Sequence, residues 1–200
     1  MQTASPGLFE GLRTHINRFV KMSDEEFDLG TTLFTPKKLR RRQYLLQAGD
    51  VCKWAAFISK GCLRQYSLDA MGGEHILRFG IEGWWMTELE SFQSHAPAAS
   101  NIDALEDSEL LLISNDSLEK LSAAKSAWNR YYRETLSKAQ IASFMRITDL
   151  VGSSAEERYM TFTTMYPDLF QRIPLHQIAS YLGITPQTLS RVRKQLIKRK

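Results

Sequence analysis

The residues best suited to chemistry in this chain lie near its carboxyl end and could contact nucleic acid. Four polar residues share one helical face by their i, i+3, i+4, i+7 spacing: Gln187, Ser190, Arg191 and Lys194. In a major groove an arginine can donate two hydrogen bonds to guanine, and a glutamine can pair with adenine. The neighbouring residues that we expect to contact phosphates are Thr185, Thr188, Arg193 and Lys198. This pattern predicts a DNA-reading helix, and the alternative is a helical hairpin with a solvated charged face.

The residues before this helix are typical of a tight turn between two short helices. Ala179 is small where the helices would touch, and Gly183 stands where the chain must turn with a positive φ. Thr185 can cap the second helix through its hydroxyl, and Pro186 fits the first helical position. The apolar residues spaced to bury one face of each helix are Ile178, Leu182, Ile184, Leu189, Val192 and Leu196. The pattern therefore predicts a helix-turn-helix whose second helix begins at Pro186.

The charge distribution favours a polyanionic partner. Between Gln171 and Lys200 there are seven basic residues and no acidic one, so this segment carries +7. The preceding 170 residues hold 19 basic and 22 acidic residues, although the whole chain has a net charge of only +4. A basic end on a mildly acidic body predicts salt-dependent binding to a polyanion.

Length and composition indicate a globular chain of one or two domains. Its 200 residues are 43% hydrophobic and 24% charged, which is sufficient for a core. No run approaches the roughly 18 apolar residues of a membrane span, and Met1–Pro6 lacks the regions of a signal peptide, so we expect a cytoplasmic protein. Cys52 and Cys62 do not have the spacing of a metal or redox motif, and we expect buried free thiols.

The middle of the chain has the residue pattern of a β domain. After a helical lead-in over Gly7–Phe27, short apolar runs separated by turn signals extend from Leu33 to about Ile113. Asp69–Gly73 predicts the hairpin turn between strands at Gly61–Ser67 and Glu74–Phe79. Further strands are expected at Ala55–Ile58, Asn101–Leu105 and Glu109–Ile113. Such spacing indicates a sandwich, barrel or jelly roll.

Helical periodicity replaces this pattern after Asp116. A short helix is predicted over Ser117–Ala123, followed by a long one from Ala127 to about Val151 with more than one apolar face. One face could meet a partner helix, through residues that we assign to dimer contact: Trp128, Tyr132, Ala139 and Ala142. The alternative is a core helix within one protomer. Gly152–Ser154 breaks the pattern, and Ser153 or Ser154 could cap the next helix, which runs to about Tyr166.

This order of elements resembles the Crp/Fnr superfamily, the cyclic-AMP receptor proteins and fumarate-nitrate regulators. The most specific match is Thr185–Arg191, and weaker ones are Gly49-Asp50, Phe57–Gly61 and Glu88-Leu89. The resemblance implies an α+β chain with an N-terminal β-roll sensor domain (a cyclic-nucleotide-binding-like jelly roll, residues 1–123), a long dimerisation helix (124–151) and a C-terminal helix-turn-helix domain (152–200). It also implies a homodimeric, non-enzymatic regulator that binds a two-fold symmetric operator in double-stranded DNA, with half-sites about 34 Å apart. The base-contacting positions that it implies are Pro186, Gln187, Ser190 and Arg191.

Departures from the family pattern bear on the effector. The family holds the cyclic phosphate with an Arg-Ser pair about ten residues after its Gly-Glu-Leu element, but here that region reads His95–Ser100 and contains no arginine. Burying a phosphate without a cationic partner is costly, so cyclic AMP is not the expected ligand. Two cysteines cannot hold the iron-sulfur cluster of the other branch, and no cofactor is expected. The sequence ends four residues after Leu196, so the β-wing that commonly follows in the family is not expected.

A different small molecule could still be the effector. Its pocket would be lined by aromatic and polar residues of the β domain: Arg64, Tyr66, Arg78, Trp84, Trp85 and Glu88. The alternative is that the aromatic residues form the core of the β-roll.

Two other classes of protein remain open at this point. The first is a ligand-binding module whose C-terminal helices contact another protein. The second is a cupin-like metal enzyme, but His75 and His95 lack a metal-binding arrangement, and neither a catalytic set nor a metal site is evident. The basic run Lys37–Arg42 could touch DNA, although we favour the solvated face of a strand.

Overall fold

The computed structural model describes residues 7–123, 126–167 and 169–198, except for the side chain of Lys198. The chain divides into two compact units. The first consists of the chain up to Ser67 together with Arg78–Ser137, and the second consists of Leu68–Leu77 together with the chain from Lys138 onward. The residues ahead of Gly7 and the predicted boundary at residue 124 lie outside the described residues.

Two short helices open the first unit, α1 over Glu10–Asn17 and α2 over Asp24–Thr31. The helical lead-in predicted over Gly7–Phe27 therefore consists of two helices, the second of which extends to Thr31. Ser23 starts the second helix because its hydroxyl accepts from the Glu26 N–H, while the Glu26 carboxylate accepts from the Ser23 N–H. This capping box fixes a helix start in the middle of an apolar pattern that looks continuous.

Within the described ranges, eight strands form two antiparallel four-stranded sheets. The strands are β1 Thr35–Leu39, β2 Tyr44–Leu46, β3 Trp54–Lys60, β4 Leu63–Leu68, β5 Glu74–Gly80, β6 Trp85–Met86, β7 Asn101–Ala104 and β8 Ser108–Ser114. The strand orders are β1-β8-β3-β6 and β2-β7-β4-β5. A short helix, α3 over Leu89–Ser94, follows β6. The predicted strands and the α+β architecture are confirmed.

The core of the first unit draws on both sheets. Phe57, Ile58 and Leu110 are fully buried on one sheet, and Leu63 and Ile102 are fully buried on the other. At the corner between β3 and β4, Gly61 has φ +106°, and a Cβ there would lie 2.2 Å from the Ser108 hydroxyl oxygen. Only glycine fits this corner, because any side chain would collide with β8. Cys52 and Cys62 are buried and free, as expected.

The remaining helices are α4 over Asn115–Ala123, α5 over Ala127–Gly152, α6 over Ala155–Met165, α7 over Leu169–Arg172, α8 over Leu175–Tyr181 and α9 over Pro186–Lys198. Ser154, one of the two residues that the sequence offers as a cap, caps α6 through a second capping box with Glu157. The backbone and side-chain hydrogen bonds of Ser154 hold the pKa of the Glu157 carboxyl below its ordinary value. Aromatic rings of α6, α7 and α8 then pack around Phe162, whose ring centroid lies 5.3 Å from Phe170 and 5.4 Å from Tyr181.

Two negative findings concern the described residues only. No helix in that part of the chain is long and apolar enough to cross a bilayer. No group of three or more histidine, cysteine, aspartate or glutamate side chains there has an arrangement that could hold a metal ion.

Candidate nucleic-acid interface

The predicted helix pair is present as α8 and α9, joined by a four-residue turn. Gly183 has φ +64°, and the Gly183 N–H donates to the Ser180 carbonyl at 3.0 Å. The Ile184 N–H donates to the Ala179 carbonyl, also at 3.0 Å. Ala179 is fully buried where the two helices meet, so a larger side chain would push them apart. The register deduced from Ala179 and Gly183 is confirmed.

Thr185 and Pro186 start α9 in the way that the sequence predicts. The Thr185 hydroxyl oxygen accepts from the Thr188 N–H at 3.2 Å and lies 3.1 Å from the Thr188 hydroxyl. Pro186 is the first residue of the helix, where its missing N–H costs no hydrogen bond. Because Thr188 completes this cap, its hydroxyl already has a partner within the helix start.

The two faces of α9 differ in burial and in chemistry. Leu189 and Val192 are buried, whereas Leu196 is half-buried. The residues predicted to contact bases are all exposed: Pro186, Gln187, Ser190, Arg191 and Lys194. No acidic residue lies on α9, so the exposed face presents donors and positive charge without an internal carboxylate to compete for them.

The residues predicted to contact phosphates differ from one another in exposure. Thr185 is exposed, and Thr188 is half-buried beneath the cap. Arg193 is also half-buried, with its guanidinium carbon 5.4 Å from the centroid of the Phe170 ring. The aliphatic part of the Arg193 side chain therefore lies along the edge of the buried face, and its guanidinium group packs over the Phe170 ring. The side chain of Lys198 lies outside the described residues.

A hairpin tip packs against the helix pair within the second unit, which sequence reasoning missed. The Ser180 hydroxyl accepts from the Ile76 N–H at 3.0 Å and donates to the Glu74 carbonyl at 3.1 Å. Arg146, on α5, donates to the carbonyls of Ile76 and Tyr181 at 3.0 Å each and also to that of Leu77. One side chain therefore ties a β5 segment to α8.

Among the residues that the structure describes, no carboxylate contacts Arg146. Its guanidinium carbon lies 4.2 Å from the centroid of the Tyr181 ring, and burial lowers the pKa of the arginine below its ordinary value. Peptide carbonyls and a ring face take the place of a counter-ion. Sequence alone offers no signal for this arrangement, because the partners lie 35 to 70 residues away and contribute only backbone atoms or a ring.

The turn of the same hairpin is organised by Asp69. Its carboxylate accepts from the Met71 and Gly73 N–H groups at 2.9 and 2.8 Å, and its other oxygen lies 2.8 Å from His75 Nε2. The bond with His75 and the two backbone bonds hold the pKa of Asp69 below its ordinary value. The predicted turn at Asp69–Gly73 is confirmed, and His75 is used locally to close it.

The six residues predicted to line an effector pocket lie in separate clusters, and each cluster has its own contacts within the chain. Arg64 is buried and forms a bidentate ion pair with Asp103 on the neighbouring strand, at 2.8 and 3.1 Å. The Arg64 guanidinium also lies over the Tyr66 ring, whose hydroxyl is 3.1 Å from that of Tyr44. Burial raises the pKa of Tyr66 above its ordinary value. The positive charge of Arg64 is therefore already neutralised within the chain.

Trp85 and Arg78 belong to a second cluster, around Tyr131 of α5. The Tyr131 hydroxyl accepts from Trp85 Nε1 at 2.8 Å and lies 2.7 Å from His15 Nδ1. Arg78 donates to the Trp85 carbonyl at 2.6 Å. Tyr131 is buried, which raises its pKa above the ordinary value. These rings pack as core, which agrees with the alternative that the sequence left open.

Trp84 and Glu88 lie at the two ends of the short strand β6. Trp84 is half-buried and belongs to the turn before β6, where its carbonyl accepts from the Ile58 N–H at 2.9 Å. The Glu88 carboxylate caps α3 by accepting from the Ser91 N–H at 2.8 Å. An open depression in this unit is lined by other residues, among them Tyr44, Asp50, Lys53 and Trp54.

The four residues assigned to the dimer helix share one face of α5 but differ in exposure. Trp128 is buried, stacked on Phe27 at 6.2 Å, and its indole N–H donates to the Glu26 carbonyl. Tyr132 is half-buried, whereas Ala139 and Ala142 are exposed. The larger exposed apolar side chains of α5 lie on another face: Ile141, Phe144, Met145 and Val151. The sequence predicts more than one apolar face on this helix, but it assigns dimer contact to the face that holds the small residues Ala139 and Ala142.

Comparison with known proteins identifies the domain and the fold. Residues 36–125 match the cyclic nucleotide-binding domain family. FixK2 from Bradyrhizobium japonicum has the same fold with a TM-score of 0.71, at 21% identity over 83% of this chain and 85% of that one. A CooA mutant from Carboxydothermus hydrogenoformans has a TM-score of 0.69, at 17% identity over 99% of this chain and 87% of that one. The architecture is thus a cyclic nucleotide-binding-like domain followed by helix-turn-helix helices.

A regulatory protein of known identity is similar to this chain over most of its length. The fumarate and nitrate reduction regulatory protein of Yersinia pestis is 26% identical over 185 residues, covering 86% of this chain and 72% of the relative. Over most of its length the chain is therefore similar to a transcription regulator of the Crp/Fnr superfamily.

Proposed function

We propose that this chain is a homodimeric, sequence-specific DNA-binding regulator that reads a two-fold symmetric operator through α9. The observation that carries the proposal is the exposed stripe Gln187, Ser190, Arg191 and Lys194, opposite a buried face on the same helix. These residues offer the bidentate donors that distinguish guanine and adenine in the major groove. Similarity to a known transcription regulator supports the same conclusion.

Selection of binding sites from random-sequence duplexes by the full chain tests this function. We expect enrichment of a two-fold symmetric sequence with half-sites about 34 Å apart, because a dimer presents its two recognition helices one helical turn apart. A variant that lacks the recognition side chains, Q187A/R191A, is the matched control and should enrich no such site. The proposal is wrong if the wild-type chain also enriches nothing.

Homodimerisation through α5 is the second part of the proposal. Phe144, Met145 and Ile141 are each more than half exposed, and such a stripe on one long helix is typical of an interaction surface. A second copy of the same helix is the occupant that similarity to Crp/Fnr regulators favours, because those relatives bind DNA as dimers. Ala139 and Ala142 are exposed on another face of α5, and they stay in the proposal as a second area where helices could approach closely.

We further propose that the β-roll senses a signal other than cyclic AMP, or has lost its ligand. The Glu88 carboxylate is occupied in capping α3, and no arginine lies between Arg78 and Arg130 to hold a cyclic phosphate. Titration calorimetry with cyclic AMP should give no binding. Micromolar affinity would contradict this part of the proposal while leaving DNA recognition intact.

A further inference from the structure

An open pocket in the first unit lies beside β2, which is an edge strand of its sheet. Its volume is about 520 Å³, within the range of sites that hold small molecules. Six of its lining residues define the site, which we call the edge pocket: Tyr44, Leu46, Asp50, Lys53, Trp54 and Ile102. The residues that the sequence assigns to an effector pocket, all of them described, do not line it. We propose that the edge pocket binds a free aromatic α-amino acid.

The buried part of the edge pocket is apolar, and its outer part is aromatic. Leu46 and Ile102 are 7% and 0% exposed, and they are partners in the pairing of β2 with β7. Tyr44 is 45% exposed and Trp54 is half-buried, so each ring combines contact with the protein and contact with solvent. Such rings pack offset or edge-to-face against a further ring, which stabilises a complex beyond the simple burial of area. A ligand with an aromatic side chain is therefore favoured over an aliphatic one.

Among the described residues that line the edge pocket, the charged ones are Asp50 and Lys53. Both are exposed, and neither forms an ion pair with any part of the chain that the structure describes. A zwitterion satisfies both charges, because its carboxylate can accept from the Lys53 ammonium while its own ammonium donates to the Asp50 carboxylate. An α-amino acid carries these two groups on the carbon atom that also bears its side chain.

Other classes of small molecule fit these charges less well. A phosphorylated ligand would be repelled by Asp50 and would find Lys53 as its one cationic partner among the described lining residues. A neutral hydrocarbon would leave both charges unused and would gain no orientation from them. The pair of opposite charges beside an apolar floor therefore selects an apolar zwitterion.

Hydrogen bonds hold the loop that carries Asp50 in place. The Gly49 N–H donates to the Ala98 carbonyl, and the Ala98 N–H donates to the Asp50 carbonyl, at 2.8 Å each. The Cys52 N–H donates to the Ser91 hydroxyl oxygen, also at 2.8 Å. Because the loop is fixed before a ligand arrives, less conformational entropy is lost on binding.

An amino acid bound here would be the signal that the proposed β-roll sensor detects, so the edge pocket rests on that part of the proposed function. Binding can be measured on the full chain without DNA. The outcome is therefore independent of whether α9 reads an operator.

Titration calorimetry of the full chain with L-phenylalanine and with L-tryptophan tests the edge pocket. Two analogues of phenylalanine separate its charges, since phenethylamine lacks the carboxylate and 3-phenylpropionate lacks the ammonium. We expect both amino acids to bind, and each analogue to bind at least about tenfold more weakly than phenylalanine, because it loses one charge-assisted hydrogen bond. L-Leucine keeps both charges but lacks the ring, and it should also bind more weakly than phenylalanine.

Two substitutions of similar size assign each charge to its partner. Asp50→Asn should weaken the binding of L-phenylalanine about tenfold without weakening that of 3-phenylpropionate, which has no ammonium to lose. Lys53→Gln should weaken L-phenylalanine to a similar extent without weakening phenethylamine. D116N/K120Q removes one exposed charge of each sign from α4 in the same unit, and this matched control should bind as the wild type does.

The edge pocket is refuted if neither L-phenylalanine nor L-tryptophan binds at millimolar concentration. It is also refuted if Asp50→Asn and Lys53→Gln bind phenylalanine as tightly as D116N/K120Q does. A chain that binds phenylalanine through both charges but prefers no operator would support the edge pocket and refute sequence-specific recognition of DNA.

Discussion

Two arginines of α9, two residues apart, face different surroundings and should behave differently when removed. Arg191 is exposed on the stripe with Gln187, whereas Arg193 is half-buried against Phe170. We expect Arg191→Ala to weaken binding to the preferred operator by about 1–3 kcal/mol and to relax selection at one base pair. Arg193→Ala removes the same charge from the same helix and is the matched control, because loss of a phosphate contact should weaken operator and random DNA alike. Titrations of both variants on both duplexes measure the difference, and equal effects of the two substitutions on specificity would contradict the assignment.

Gly183 allows a residue-scale prediction about stability. Its φ is +64°, and an added Cβ would lie 3.2 Å from a methyl carbon of Leu150. Gly183→Ala should lower the free energy of unfolding by about 1–2 kcal/mol, because a non-glycine residue is strained in this conformation. Gly152→Ala is the control, since Gly152 is helical and a Cβ there meets nothing within 4 Å. Thermal or urea unfolding should show a loss only for the first variant, and equal stabilities would refute the role given to Gly183.

At the scale of elements, the contact of the hairpin tip with α8 should contribute measurably to stability. The Ser180 hydroxyl both accepts from and donates to backbone groups of β5. Ser180→Ala leaves the Ile76 N–H and the Glu74 carbonyl without this partner, and we expect a loss of about 1 kcal/mol in the free energy of unfolding. Ser143→Ala is the matched control, because that hydroxyl bonds only the carbonyl of Ala139 in its own helix. Urea titrations that showed no difference between the two variants would indicate that the hairpin contact adds nothing to stability.

The start of α9 could be predicted from sequence, whereas the partner of α8 could not. Gly183, Thr185 and Pro186 act through their own backbone preferences and caps, so neighbouring residues suffice to locate the turn. The same local chemistry narrowed the cap of α6 to Ser153 or Ser154, but it missed the capping box at Ser23 because the apolar spacing continued across it. Arg146 contacts carbonyls far away in the chain, and these partners cannot be predicted because every residue has a backbone carbonyl. Trp128 was assigned to an interface for a similar reason, since periodicity gives a face but not the element that covers it.

At the scale of the whole molecule, the account requires two copies of the chain. Phe144 on α5 is 71% exposed, and Leu29 on α2 is 73% exposed. Phe144→Glu should convert the dimer to a monomer with little change in unfolding temperature, because a charge placed in an apolar helix interface is costly whereas the protomer core is untouched. Leu29→Glu, an equally exposed apolar position elsewhere, should remain dimeric. Sedimentation measurements decide the point, and a dimeric Phe144→Glu chain would rule out this face of α5.

The most direct test of DNA reading by α9 is the ratio of affinities for the selected operator and for a random duplex of equal length, near 0.15 M salt. For the wild-type chain we expect the operator to bind at least about 10³-fold more tightly, as specific regulators do. In Q187A/R191A the ratio should fall towards one while affinity for random DNA changes little, since that affinity comes from phosphate contacts. A wild-type ratio near one, or an unchanged ratio in Q187A/R191A, would contradict the account.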